Sequence, residues 1–266
     1  MQLIDTHNHL DFPPFDSDRQ QVIDSAIARG VERQVVIGVY HDHWERLWSL
    51  ATAQPSLFAT LGLHPVFMHM HTPEHLQRLR QWLERLQGHP KLCAIGEVGL
   101  DYYVERPDKD AQKTLFEAQI ELAIEFDLPL LLHVRRAHAD VTAILKRYRP
   151  PRGGIAHAFS GSYEEACEYL RLGFKIGLGG AGTWPQAKRM HRVLKQLPLD
   201  GIVLETDAPD ITPASHAGER NSPVFLPDIC HTLAELKGVP AEELADAATR
   251  NTEALFGWES ELNRPE

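Results

Sequence analysis

Six side chains able to bind a metal ion stand next to short apolar runs spread along most of the chain: His7, His9, Glu97, His133, His157 and Asp207. Each follows a β-type stretch: LIDT before His7, KLCAIG before Glu97, LPLLL before His133, GIA before His157 and GIVLET before Asp207. A fold that collects the ends of parallel strands brings such residues to one place. Imidazoles and carboxylates gathered there are suited to hold divalent metal and activate water.

The residues can be weighed singly. His7 and His9 are two apart, so on an extended strand both rings face the same way. Glu97 lies between Gly96 and Gly99 after an apolar run, and a buried carboxylate needs a partner or a metal. Its two oxygens could bridge two cations; a buried salt bridge is the competing reading. His133 ends a run that is apolar on both faces. Alone it reads as a core histidine, but His157 on the following strand end makes the two harder to dismiss. Glu205 is in phase with Asp207, so it either holds a ligand or pairs with a buried arginine.

The set sorts into two cations, one enclosed by His7, His9 and Asp207, the other by His133 and His157, with Glu97 between. Such mixed donors suit zinc, manganese or nickel better than calcium, and magnesium stays open. Two ions a few ångströms apart activate a bridging water and hold the oxygens of a phosphoester, with Asp207 placed to take the proton. Two further pairs are expected to be surface histidines. His41 and His43 run into a helix starting near Trp44, with Asp42 as its cap, and His69 and His71 lie in a loop before Pro73.

Elements must position these residues. Strand-like runs fall near 2–6, 33–39, 57–62, 91–96, 129–133, 153–157, 173–177 and 201–205, alternating with helix-period stretches. DSDRQQVIDSAIARG opens on a capping residue and closes at Gly30, and AQKTLFEAQIELAIEFD carries Phe116, Ile120, Ala123 and Ile124 on one stripe. Eight strand–helix alternations predict a closed parallel barrel. A doubly wound open sheet is disfavoured, because no GxGxxG follows an early strand. No linker or repeat divides residues 1–266, so one hydrolase domain is expected. The stretch from Asp207 to Pro227 holds four prolines and reads as an ordered loop or lid. PAEELADAATRNTEALFG predicts an amphipathic helix on the barrel exterior.

Composition narrows the class. The chain has 266 residues, 43% of them hydrophobic, enough for a full core. Three widely spaced cysteines, Cys93, Cys167 and Cys230, fit reduced thiols. With no signal-like start and no membrane-length apolar run, a cytoplasmic location is expected. The net charge is −10, and two divalent cations would leave it at about −6. That argues against wrapping along duplex nucleic acid. It leaves room for a strand end, or a small phosphoester, held by metal and a few arginines. No membrane and no obligate protein partner is indicated.

The motifs DTHNHLD (5–11), GLHP (62–65), GEVGLDYY (96–103), LPLLLHVRRA (128–137), HAFSG (157–161), ETDAPDITP (205–213) and RNSP (220–223), in this order, resemble the TatD family of metal-dependent hydrolases among the amidohydrolase-like barrels. The resemblance implies a single (β/α)8 TIM barrel with a metal pair at the C-terminal face of the strands. It implies phosphodiesterase or deoxyribonuclease activity, and His7, His9, Glu97, His133, His157 and Asp207 as the ligands. Two places depart from the commonest pattern: Ala158 stands where Cys is frequent, and Val134-Arg135-Arg136 where a small polar residue, Arg and an acid are more usual.

His64, Arg135 and Arg220 are the candidates for substrate contact. His64 could hydrogen-bond phosphate or act as an acid near neutral pH. Arg135 follows His133 by two and could fork onto phosphate, and Arg220 with Asn221 could close over substrate from the long loop. The leading expectation is a nuclease acting on DNA ends or short single strands. The alternative is hydrolysis of a carboxylic ester or amide, including an aminoacyl ester on RNA, at the same dinuclear site. A non-catalytic metal protein is disfavoured, since structural zinc sites close their shell with four ligands, often cysteines.

Overall fold

The computed structural model describes residues 1–258. Eight strands run β1 (Leu3–Asn8), β2 (Val31–Val36), β3 (Leu57–Leu61), β4 (Leu92–Asp101), β5 (Leu130–Arg135), β6 (Gly154–Ala156), β7 (Phe174–Leu178) and β8 (Ile202–Leu204). They pair in sequence order, and each neighbouring pair is parallel. The ring closes just past β8. A parallel bridge joins Asn8 to Ala208, Asp207 N donates to His7 O at 2.8 Å, and His9 N donates to Ala208 O at 2.8 Å. This is the expected (β/α)8 barrel.

One strand departs from expectation in a way that shapes the site. β4 was expected to end near residue 96, yet it continues to Asp101. After a register shift between Ile95 and Val98, Val98 pairs with Leu132 and Leu100 with Val134 of β5. Glu97 therefore sits at an irregularity inside the strand, where the local bend re-aims a side chain. Gly99 permits the close approach: a Cβ there would lie 2.1 Å from the carbonyl oxygen of His133, and its φ of +141° favours glycine.

The crossover helices are α1 (Arg19–Ala28), α2 (Trp44–Ala53), α3 (Pro73–Leu86), α4 (Lys109–Glu125), α5 (His138–Tyr148), α6 (Tyr163–Arg171) and α7 (Lys188–Gln196). After the long loop come α8 (Leu226–Lys237) and α9 (Ala241–Phe256). In α4, Asp108 caps by accepting from Ala111 N, and Phe116, Ile120 and Ala123 form the buried stripe. Ile124, expected on that stripe, is 37% exposed at its edge. α6 opens on a capping box between Ser162 and Glu165, satisfying two N–H groups the first turn leaves open. Asp18 precedes α1 without capping it, because its carboxylate is engaged by Arg220.

The barrel interior is filled by residues such as Val35, Ile37, Cys93, Leu131, Ile155 and Val203, each burial worth about 1.5–3 kcal/mol for a large aliphatic side chain. Leu255 and Phe256, at the end of α9, join that cluster. Trp258 packs on Phe58 and Phe256, with Arg33 over its ring. The last helix thus does more than cover the exterior: its end closes the barrel floor, opposite the metal-capable residues. Cys93, Cys167 and Cys230 are unpaired. Among the described residues, no helix is long and apolar enough to cross a membrane.

Candidate metal centre

The site is built on the seam between β1 and β8. The buried carboxylate of Asp5 accepts from Thr206 N at 2.9 Å, Thr206 Oγ1 at 2.6 Å, Asn8 Nδ2 at 3.1 Å and His7 N at 3.2 Å. Asn221 Nδ2 reaches Thr206 O at 2.7 Å, fastening the long loop over the same seam. These bonds fix where His7, His9 and Asp207 leave the sheet. Asp207 and Ala158 take φ values of 60° and 43°. Non-glycine residues hold this left-handed region at about 1–3 kcal/mol each, and such strain clusters at functional sites.

The six residues converge in the barrel mouth. Glu97 lies at their centre, and its two oxygens divide the cluster. Oε2 is 3.1 Å from His7 Nε2 and 3.9 Å from His9 Nε2. Oε1 is 3.0 Å from His133 Nδ1 and 3.9 Å from His157 Nε2. Asp207 Oδ1 lies 3.5 Å from His7 Nε2, 3.6 Å from His9 Nε2 and 3.6 Å from His157 Nε2. The rings of His7 and His157 stack at 3.5 Å between centroids.

The donor set fits divalent cations. Among the converging atoms, His7 Nε2 is buried without an aligned hydrogen-bond partner, although Glu97 Oε2 lies 3.1 Å away. Donor atoms of His7, His9 and Asp207 lie within 4.8 Å of one another, as do those of His64, Glu97 and His133. Imidazole nitrogens and carboxylate oxygens gathered this closely, one of the nitrogens without an aligned hydrogen bond, are the geometry a metal ion completes.

Two more carboxylates hold the outer edges of the rings. Asp101 Oδ2 is 2.8 Å from His133 Nε2, leaving His133 Nδ1 toward Glu97. Glu205 Oε1 is 3.0 Å from His157 Nδ1 and accepts from Ala158 N at 2.6 Å. Among the described residues Glu205 pairs with no arginine, so of its two sequence readings the one that turns His157 matches the geometry. Asp101 was missed. It stands four residues past Glu97, in phase along one strand, and that spacing was the available signal.

Electrostatics follow from this crowding. Burial opposes charge on Glu97, yet the neighbouring imidazoles of His64 and His7 and hydrogen bonds from His133 and His64 hold its pKa well below the usual carboxylate range. For Asp207, burial is likewise outweighed, by His157, His9 and His7. Burial also disfavours the charged form of His157, but Glu205, Asp207 and Glu97 raise its pKa to about 10. Without a cation, protons balance the carboxylates.

A family model described as TatD related DNase matches residues 4–257. The chain belongs to the TatD family. It is 40% identical over 255 residues to an Escherichia coli (strain K12) protein named uncharacterized metal-dependent hydrolase YjjV, covering 96% of this chain and 98% of that one. The crystal structure of that TatD homologue matches with a TM-score of 0.92, over 96% of this chain and 98% of the other. A Pantoea vagans protein named 3'-5' ssDNA/RNA exonuclease TatD is 34% identical over 264 residues, covering 96% of this chain and 99% of that protein. This chain is a metal-dependent hydrolase of the TatD type.

The TatD-type pocket is a cavity of about 560 Å³ lined by His9, His64, Glu97, His133, His157 and Asp207, with Phe12, Phe67, Arg135 and Ile211 among its walls. His64 is at the wall, but its chemistry differs from the expected acid. Val66 N donates to His64 Nδ1 at 3.0 Å, which puts the ring proton on Nε2, facing Glu97 Oε1 at 3.1 Å. Burial pushes its pKa down to about 4, so at neutral pH it has no second proton to give. Arg135 lines the cavity. Arg220 does not: it pairs with Asp18 at 2.7 Å and lies over the ring of Phe15, so loop and α1 consume the charge expected at substrate.

The two outlying histidine pairs are only partly surface features. His43 Nδ1 lies 3.5 Å from the buried Asp11, and His71 Nε2 contacts His64 O at 2.9 Å. Asp42 pairs with His41 at 2.9 Å rather than capping α2.

Proposed function

We propose that this TatD-family hydrolase cleaves phosphodiesters at the ends of short or single nucleic-acid strands, using two divalent cations. His7, His9 and Asp207 would hold one ion, His133 and His157 the other, with Glu97 shared; zinc, manganese, nickel or magnesium could fill both. The observation that carries this reading is the division of Glu97, one oxygen toward His7 and His9, the other toward His133 and His157. Bound there, the cations supply Lewis-acid polarisation of a phosphoryl oxygen and lower the pKa of water.

The chain's own groups do the rest. Asp207 is an anion at neutral pH, held so by the surrounding imidazoles, and accepts the proton given up by the attacking water. Asp101 and Glu205 keep His133 and His157 turned toward the centre. The neutral His64 fixes one oxygen of Glu97, and Arg135 meets a phosphate at the wall. The net charge of −10 favours a strand end over duplex wrapping. Unpaired cysteines suit a single-domain enzyme working in the cytoplasm. The name of the Pantoea vagans relative, a single-strand exonuclease, supports the substrate class.

Manganese-loaded protein should shorten a 5′-labelled single strand from its 3′ end and leave a blunt duplex largely intact. Faster hydrolysis of carboxylic or aminoacyl esters at equal protein concentration, with no strand shortening, would move the reaction to the alternative substrate class.

A further inference from the structure

The rim of the metal cavity carries two arginines that, among the described residues, form no ion pair. Tyr103, just past β4, is 51% exposed. The Arg135 guanidinium lies 3.8 Å from the centre of its ring and that of Arg136 lies 4.5 Å away. Successive strand residues point to opposite faces. Arg136 leaves β5 with a φ of 55°, and this left-handed step accompanies the meeting of both side chains at one ring. Arg135 lines the cavity that holds His133 and Asp207, and Arg136 stands next along the chain, outside that lining.

The setting makes the pair unusual. In this acidic protein many arginines are answered by carboxylates: Arg29 by Asp228, Arg80 by Glu125, Arg152 by Asp127, Arg220 by Asp18. Among the described residues, the contacts of Arg135 and Arg136 are to the Tyr103 ring, and neither forms an ion pair. Stacking on an aromatic face restrains a guanidinium while leaving its N–H fork unused. Two restrained, unanswered forks beside a phosphodiester centre match a phosphate bidentately.

Resting on the phosphodiesterase reading, we infer that Tyr103, Arg135 and Arg136 form a subsite for the phosphate of the nucleotide next to the one being cleaved. The enzyme then prefers substrates carrying that second phosphate. Arg85 stacks on Trp82 at 3.8 Å in the same manner, but on α3 and outside the metal cavity's lining, which makes it the control.

The test uses manganese-loaded protein and two chromogenic substrates, the p-nitrophenyl esters of thymidine phosphate and of a thymidine dinucleotide with one phosphate more. A fluorescent thymidine trinucleotide with phosphorothioate linkages reports binding without turnover. Arg136→Gln should lower kcat/KM for the longer ester about tenfold and for the shorter less than about threefold. It should weaken trinucleotide binding about tenfold and make its log–log salt slope shallower by about 0.7, the value of one lost phosphate contact on a single strand. Tyr103→Leu should lose the length preference, Tyr103→Phe should keep it, and Arg85→Gln should change none of these readouts. Equal losses on both esters, no loss on either, or the same effect from Arg85→Gln would overturn the subsite. If neither ester is hydrolysed but Arg136→Gln still weakens trinucleotide binding, the phosphodiesterase reading fails, and with it the placing beside a cleaved nucleotide, while the phosphate site itself stands. If both are hydrolysed with unchanged preference and binding, the subsite alone fails.

Discussion

Replacing Glu205 by Gln separates holding a ligand from holding the fold. Glu205 is 1% exposed, and its carboxylate fits only because Gly177 has no side chain: a Cβ there would lie 2.3 Å from Glu205 Oε2. A carboxamide has the same shape and enters the same space. Its orientation is fixed, since Ala158 N donates to the oxygen position at 2.6 Å, so the amide oxygen still faces His157 Nδ1. What disappears is the charge. A hydrogen bond to a charged acceptor is worth about 1.5–3 kcal/mol and a neutral one about 1, so His157 loses about 1–2 kcal/mol of its hold. That corresponds to about five- to thirtyfold weaker metal binding. The metal-free fold should change by less than about 2 kcal/mol, because Asp207 and Glu97 still compensate the His157 ring, which avoids the larger cost of stranding a buried charge. Competition with a chromogenic chelator gives the first number and urea unfolding of stripped protein the second. Unchanged affinity for both ions would refute the positioning role, as would a loss matched by loss of folded protein.

Thr206→Val removes the hydroxyl that donates to Asp5 at 2.6 Å and should cost about 2 kcal/mol in urea unfolding; a loss below about 0.5 would mean the β1–β8 seam does not depend on it. Arg220→Ala should cost at most about 1 kcal/mol, since its ion pair with Asp18 is partly solvated, and should leave KM for a small diester within about twofold. A large rise in KM would return Arg220 to the substrate. Metal uptake should depend on pH. Neighbouring carboxylates raise the pKa of His133 and that of His157, the latter to about 10, in each case against burial. The His157 ring therefore holds its proton at neutral pH and must shed it to bind metal, and the raised His133 adds to the same trend. Apparent affinity should therefore climb as pH rises from 6 to 9, with proton release detectable by calorimetry in buffers of different ionisation enthalpy. Uptake without proton release would contradict this.

Much of the barrel was legible because each strand is an apolar run closed by turn residues and each parallel crossover demands a helix. The metal-capable residues stood out for the same reason, as polar groups where apolar runs end. What could not be read depended on register and on partners far apart in sequence. The apolar run before Glu97 ends at residue 96, yet glycines at 96 and 99 let β4 pass close to β5, so the strand runs on and brings Asp101 to the same mouth as Glu97. Asp101 meets His133 only once the parallel offset of those strands is known. Arg220 could equally pair with one of the chain's surplus carboxylates, and the one it meets, Asp18, lies across the fold. His64 looked like a neutral-pH acid until burial and the Val66 N–H fixed its tautomer.

The most direct test is a titration of metal-stripped protein with manganese while hydrolysis of bis(p-nitrophenyl) phosphate is followed, beside Asp207→Asn. Turnover that appears with metal, saturates at two equivalents per chain and is lost in the variant is the predicted result. Turnover without metal, full activity in Asp207→Asn, or two bound ions with no turnover would contradict a dinuclear phosphodiesterase.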